Sequence, residues 1–228
     1  ADYYQPFSDA AGFAEFTVYS RDGNTAANVD WRLNNGGAEI NGYNSTAVAN
    51  DWLISKAFNL NDTRAEFLSF TTATQYTDNG LPDPADQLKL LYSTDYSGSG
   101  DPAAAHWTQL PFAHASSATA TPSGLIDLSD ISGTNVYFAF QYQASGSAAT
   151  TKSATLWRVD DFKLESYNSP VIAVVATDAD KPEGGDGATT AFTFTVTRSG
   201  DGLPAETVAW TVAGSGSHPA DAGDFEGG

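Results

Sequence analysis

Two adjacent carboxylates, Asp160 and Asp161, are the first residues in the sequence whose type and spacing point to chemistry. In the run Leu156-Trp-Arg-Val-Asp-Asp-Phe-Lys-Leu164 the apolar phase slips by one at that pair: Trp157 and Val159 share one parity, Phe162 and Leu164 the other. Such a slip predicts a β-bulge, where one extra residue re-aims its neighbours. A bulge can turn both carboxylates toward one point, and a bound hard cation relieves their mutual repulsion, so calcium is the expected partner. The alternative is that one aspartate faces solvent while the other caps a turn.

Hydrolytic chemistry has poorer support. The three histidines, His106, His114 and His218, lack the H-E-x-x-H or i, i+4 spacing that sets two on one helical face around zinc. There is no G-x-S-x-G elbow, so the Ser-Gly clusters read as turns rather than nucleophiles. Phosphate cradles of the G-x-x-x-x-G-K-[ST] or G-x-G-x-x-G kind are missing as well, and the chain is not expected to be an enzyme. Aromatic side chains offer a different activity, since they can stack on sugar rings. Trp52 and Trp157 lie inside apolar strings and belong to the core. Tyr76 and Tyr96 border Gly- and Asp-rich loops, and Trp107 follows an Asp-Pro-Ala loop beside His106, which makes these three the candidate ligand contacts.

Strands must position all of these residues. Apolar runs of strand length lie at Asp51 to Phe58, Ala65 to Phe70, Leu88 to Ser93, Val136 to Tyr142, Leu156 to Leu164, Val171 to Ala176, Ala191 to Arg198 and Glu206 to Val212. In the seventh, Phe192, Phe194 and Val196 share one face and threonines fill the other, the alternation of a strand with one buried and one wet side. Between the runs stand clusters such as Asn34-Asn-Gly-Gly37, Asp78-Asn-Gly80 and Ser97-Gly-Ser-Gly100, which supply positive φ at low cost. No stretch reads as a long helix, and the pattern is that of an all-β antiparallel sandwich.

Composition narrows the partners. The 228 residues carry 10 Lys+Arg against 28 Asp+Glu, a net charge of -18, which repels nucleic-acid phosphate and anionic lipid and makes cations the natural counterpart. Cysteine is absent, so neither a disulfide frame nor a thiolate metal site is available. The longest apolar run, Val171 to Ala176, falls far short of the ~20 residues that cross a bilayer as a helix, and no membrane insertion is expected. A boundary is expected at Ser166-Tyr-Asn-Ser-Pro170, where a polar segment and a proline interrupt the ladder, dividing the chain into residues 1–166 and 170–228. The second piece has about three evident strands, fewer than a closed sandwich needs. It reads as cut short at Gly227-Gly228, and the lack of any Met, even at position 1, suits a processed or excised chain.

The strings Phe7-Ser-Asp9, Asn50-Asp-Trp-Leu-Ile-Ser-Lys-Ala-Phe58, Leu88-Lys-Leu-Leu-Tyr-Ser-Thr-Asp95, Val136-Tyr-Phe-Ala-Phe140 and Trp157-Arg-Val-Asp-Asp-Phe162, in that order, resemble the jelly-roll family called choice-of-anchor J or cleaved-adhesin domains over roughly residues 1–165. The resemblance implies an eight- to ten-stranded sandwich with structural calcium, and by position it nominates Asp9, Asp160 and Asp161 as ligands, with Glu15 able to take the place of Asp9. The tail is similar to the first half of a Calx-β domain. Its strings are Val171 through Asp178-Ala-Asp-Lys-Pro-Glu-Gly184, then Phe192-Thr-Phe-Thr-Val-Thr-Arg198, then Pro219-Ala-Asp-Ala-Gly-Asp-Phe225. That likeness implies a partial immunoglobulin-like sandwich whose calcium ligands here would be Glu183, Asp201, Asp221 and Asp224.

These readings converge on a secreted or surface-displayed bacterial protein, a non-catalytic, calcium-stabilised module for adhesion or for surface or matrix assembly. Its partners would be calcium and a neighbouring protein docked through an open sheet edge. Two rivals remain open: a carbohydrate-binding module, or an accessory region of a larger secreted hydrolase such as a nuclease, phosphatase or protease.

Overall fold

The computed structural model describes residues 2–23, 29–42, 48–61, 65–77, 87–144, 155–167, 171–179, 181, 189–200, 207–211, 213 and 217. The chain divides into two units, Ala1–Ser166 and Tyr167–Gly228.

Among its described residues, the regular structure of the first unit is almost all strand. In chain order these are β1 (Tyr3–Gln5), β2 (Thr17–Ser20), β3 (Arg32–Asn34), β4 (Gly37–Asn41), β5 (Ala49–Ile54), β6 (Ala65–Gln75), β7 (Leu88–Ser93), β8 (Thr108–Leu110), β9 (Thr121–Pro122), β10 (Ile126–Asp127), β11 (Tyr137–Ala144) and β12 (Leu156–Tyr167). One sheet runs β10-β6-β12-β4-β3, with β1 also pairing β12 and β9 also pairing β6; the other runs β2-β5-β11-β7-β8. Ladders for which registers are known are antiparallel. Among the described residues the helical turns are α1 (Ala10–Phe13) and a 3-10 turn at Pro102–Ala104, each opened by an aspartate cap, Asp9 and Asp101.

The core lies between the two sheets, since alternate residues of each point inward. Leu68, Phe70, Trp157, Val159, Phe162 and Leu164 from the first sheet meet Leu53, Leu88, Leu90, Phe138, Phe140 and Tyr142 from the second. The phase slip expected at Asp160-Asp161 is present: Trp157, Val159, Phe162 and Leu164 all join this one core although their spacing changes parity. Asp161 makes the change possible by adopting φ 53°, the left-handed region that a single non-glycine residue enters at a cost of order 1 kcal/mol. A second, smaller cluster covers the outer face of the β2-β5-β11-β7-β8 sheet. There Trp52, Ile54, Leu91, Tyr96 and Ala139 are packed under Trp107 and Ala105.

The β3, β4 and β12 strands are also tied by charge. Buried Glu39 lies in register with both Arg32 and Arg158 and accepts from each, at 2.7 and 2.8 Å, and from Asn34 at 2.8 Å. Burial alone would raise its pKa, yet the hydrogen bonds from Asn34, Arg158 and Arg32 hold it below the ordinary value. Gly37 has to be small at this point, because a Cβ there would fall 2.6 Å from the Arg158 Cδ.

The second unit contains, among its described residues, a two-stranded antiparallel ribbon of β13 (Val171–Asp178) and β14 (Thr193–Ser199). The alternation of Phe194 and Val196 with threonines does place it in a strand, but both faces are exposed rather than one being buried. Of the strand expected from Glu206 to Val212, the described residues 207–211 lie in no strand, and Trp210 is 80% exposed. Apolar alternation makes a strand only where a partner ladder takes up the backbone groups.

Candidate ligand-binding groove

On the outer face of the β10-β6-β12-β4-β3 sheet a shallow groove of about 700 Å³ crosses β1, β12, β6 and β9. Its floor is made of Ser69, Thr71 and Lys163, outward residues of β6 and β12 whose neighbours Leu68, Phe70, Phe162 and Leu164 point to the core. Its walls are Tyr4 and Leu125, 54% and 51% exposed, brought together by the pairing of β1 with β12 and of β9 and β10 with β6. The Tyr4 hydroxyl donates to Asp161 Oδ1 at 2.5 Å, which ties down the end of the ring. That hydrogen bond is the main cause of a raised Tyr4 pKa. The left-handed backbone at Asp161 thus has a second effect, since it turns this carboxylate outward to the tyrosine. Such a groove, with a fixed aromatic face, an apolar wall opposite, and hydroxyls, a carboxylate and an ammonium between them, can stack a ring and exchange hydrogen bonds with its substituents.

The residues nominated from sequence fall in several places. Asp160 accepts from the Asp161 backbone N–H at 2.8 Å and has its pKa raised by burial, while Asp161 holds Tyr4, so the two carboxylates are engaged separately. Asp9 caps α1, accepting from the Gly12 N–H at 2.7 Å. Glu15 is paired with Lys56 at 2.8 Å and accepts from the Tyr3 hydroxyl at 3.1 Å. Among the described residues no three histidine or acidic side chains form a metal-holding group. Glu183, Asp201, Asp221 and Asp224 lie outside the described residues.

Of the aromatic candidates, Tyr96 is buried and its hydroxyl donates to the Gly100 carbonyl at 3.1 Å. Trp107 is half-buried over Trp52 and Tyr96, with ring centroids 5.2 and 5.4 Å away, and its indole N–H donates to the Pro102 carbonyl. Both therefore pack the outer cluster. Tyr76 is exposed at the end of β6, with φ 61°. His106, also exposed, is braced by Asp95 at 2.7 Å, a contact that, with the Ser93 hydroxyl, lowers the Asp95 pKa to about 2. Tyr4 and Leu125 carry no sequence signal of their own, because only strand pairing brings them to one groove.

A family described as a domain of unknown function (DUF5017) matches residues 57–180. No curated protein sequence matches the chain. Among solved structures, a CBM4 domain is similar at 13% identity over 68% of this chain and 97% of its own, with a TM-score of 0.40. A cleaved-adhesin domain of Lys-gingipain from Porphyromonas gingivalis is similar at 13% identity over 72% and 98%, TM-score 0.41. The N-terminal cellulose-binding domain of a β-1,4-glucanase from Cellulomonas fimi is similar at 16% identity over 70% and 92%, TM-score 0.38. No residue of the groove is carried over from these structures.

Proposed function

The chain belongs to the family described as a domain of unknown function (DUF5017), and from the groove on its first unit we propose that it is a non-catalytic binding module that takes a glycan between Tyr4 and Leu125. The observation that carries this reading is the Tyr4 ring, 54% exposed and tied at its hydroxyl to Asp161. A sugar presents an apolar C–H face and a rim of hydroxyls, and the groove offers a ring for the first and Ser69, Thr71, Asp161 and Lys163 for the second. A net charge of -18 disfavours acidic polysaccharides, so the ligand class is a neutral glycan. The acid-rich surface accords with an extracellular setting, in which glycan capture would serve adhesion or matrix assembly.

A second reading, assembly with a neighbouring protein, is favoured by the ribbon of the second unit. There Val171, Val174, Val175, Phe194 and Val196 are all exposed, an apolar surface of the kind a partner's apolar face covers. The two readings use different surfaces and do not exclude one another.

The test of the first is an array of neutral glycans probed with the full chain. Tyr4→Ala should weaken any hit about tenfold or more, the scale of one lost aromatic stack, whereas Tyr76→Ala should leave it unchanged. An array without hits, or equal binding by Tyr4→Ala, would refute the groove as a glycan site.

A further inference from the structure

Two polar residues from opposite sheets meet in the interior of the first unit. Thr155 immediately precedes β12, a strand of the β10-β6-β12-β4-β3 sheet, and Gln87 immediately precedes β7, a strand of the β2-β5-β11-β7-β8 sheet. Both are buried, at 0% and 3% exposure. The Thr155 backbone N–H donates to Gln87 Oε1 at 3.2 Å. Tyr142, opposite Leu88 in the β11-β7 ladder and fully buried, closes the same place. Its hydroxyl donates to the Thr155 carbonyl at 3.0 Å and accepts from the Gly42 N–H at 3.2 Å. The Thr155 side-chain hydroxyl itself has no hydrogen-bond partner. A core rarely leaves a hydroxyl in that state, and this one belongs to the residue whose N–H holds the carbonyl of a carboxamide.

We propose that Thr155 Oγ1 and Gln87 Cδ become joined as an internal ester, a covalent clasp between the two sheets. Oγ1 attacks Cδ, the Cδ–Nε2 bond breaks, and the hydroxyl proton leaves with Nε2 as ammonia; no oxidant or other reactant enters. Three features of the site favour the step. The Thr155 N–H points at the carbonyl oxygen on which negative charge develops, the arrangement that stabilises a tetrahedral intermediate. Nucleophile and hydrogen-bond donor belong to one residue, so the fold that makes the hydrogen bond also holds the hydroxyl near the amide carbon. Burial keeps water from the ester once formed, whereas the released ammonia is lost to solvent. The product consumes the unpartnered donor and closes a loop between positions 68 apart, which restricts the unfolded chain as any long-range cross-link does. The clasp lies in the core rather than on the outer face that carries the groove, and its fate does not decide the glycan reading.

The experiment is the intact mass of the full chain under denaturing conditions, followed by peptide mapping. The wild type should be lighter than its sequence by one ammonia, and the deficit should map to a branched peptide that joins positions 87 and 155. Mild alkali should split that peptide with uptake of one water, converting the glutamine to glutamate. Thr155→Val keeps the shape without the nucleophile, and Gln87→Met keeps the volume without the carbonyl; each should have its full sequence mass and migrate more slowly than the wild type on a denaturing gel. Thr155→Ser, which retains a hydroxyl, should retain the deficit. A wild type at its full sequence mass would overturn the proposal whether or not the variants fold. A deficit that persists in Thr155→Val, or that maps to an Asn-Gly pair such as Asn35-Gly36, where succinimide formation also expels ammonia, would overturn it equally.

Discussion

In EDTA the first unit should lose stability as pH rises from about 5 to about 8, and Asp51→Asn should abolish most of that loss. The cause is the Asp51 carboxyl, whose pKa is raised from 3.8 to about 7, first by burial and then by the charges of Asp22 and Asp30, against a smaller opposing effect of Ser20. The folded state therefore holds a proton that the unfolded chain has released, and the stability this gives is present below the unfolded value and lost as pH rises through the folded one. Raised pKa values at Asp30 and Asp160 act in the same direction. Lowered values at Glu15, Glu39 and Asp95 act in the opposite one, but only at more acidic pH. At about 1.4 kcal/mol per unit, the part of the Asp51 effect that falls in this window, up to the folded value of about 7, is of order 3 kcal/mol, or roughly 8 °C in melting temperature for a unit of this size. Asparagine has nearly the same volume and no charge, so at about pH 8 the variant should melt above the wild type. A wild type whose stability is flat or rising over this window would contradict the account of Asp51.

Phe162→Ala should cost about 4 kcal/mol, read as a fall in the urea midpoint at unchanged slope. Phe162 is fully buried immediately after the bulge, and five rings surround it: Tyr3, Phe16, Phe58, Phe138 and Phe140, with centroids 5.3 to 6.3 Å away. Those rings come from both sheets and from the N-terminal segment, so no single element can collapse to fill the space. Phe162→Leu, which keeps most of the volume, should cost about 1.5 kcal/mol or less. Equal losses for the two variants would mean that ring packing is not what joins the sheets here.

The sequence made the bulge legible because the slip from Trp157 and Val159 to Phe162 and Leu164 is a local pattern, and one core demands all four. Strand β14 was legible for the same reason, as alternating apolar and threonine residues. Asp51 was not recognised, although its parity with Ala49 and Leu53 placed an acid on the core face of β5. The proximity of the adjacent pair Asp160-Asp161 is visible in one dimension, whereas the charges of Asp22 and Asp30 act on Asp51 only through the folded arrangement, in which β2 pairs with β5. The groove was hidden in the same way, its walls being residues 4 and 125, which no spacing rule links. Tyr96 and Trp107 looked like loop-tip contacts because their neighbours are polar, but the loop folds back on Trp52 and uses both rings to cover the sheet.

Amide chemical-shift mapping of the full chain, titrated with a neutral oligosaccharide chosen from the array, tests the central claim most directly. Shifts confined to the neighbourhood of Tyr4, Ser69, Thr71, Gly124, Leu125 and Lys163, and absent in Tyr4→Ala, are the predicted result. Shifts confined to the β13 and β14 ribbon, or spread around Trp107 and Tyr96 while the groove stays unchanged, would contradict it.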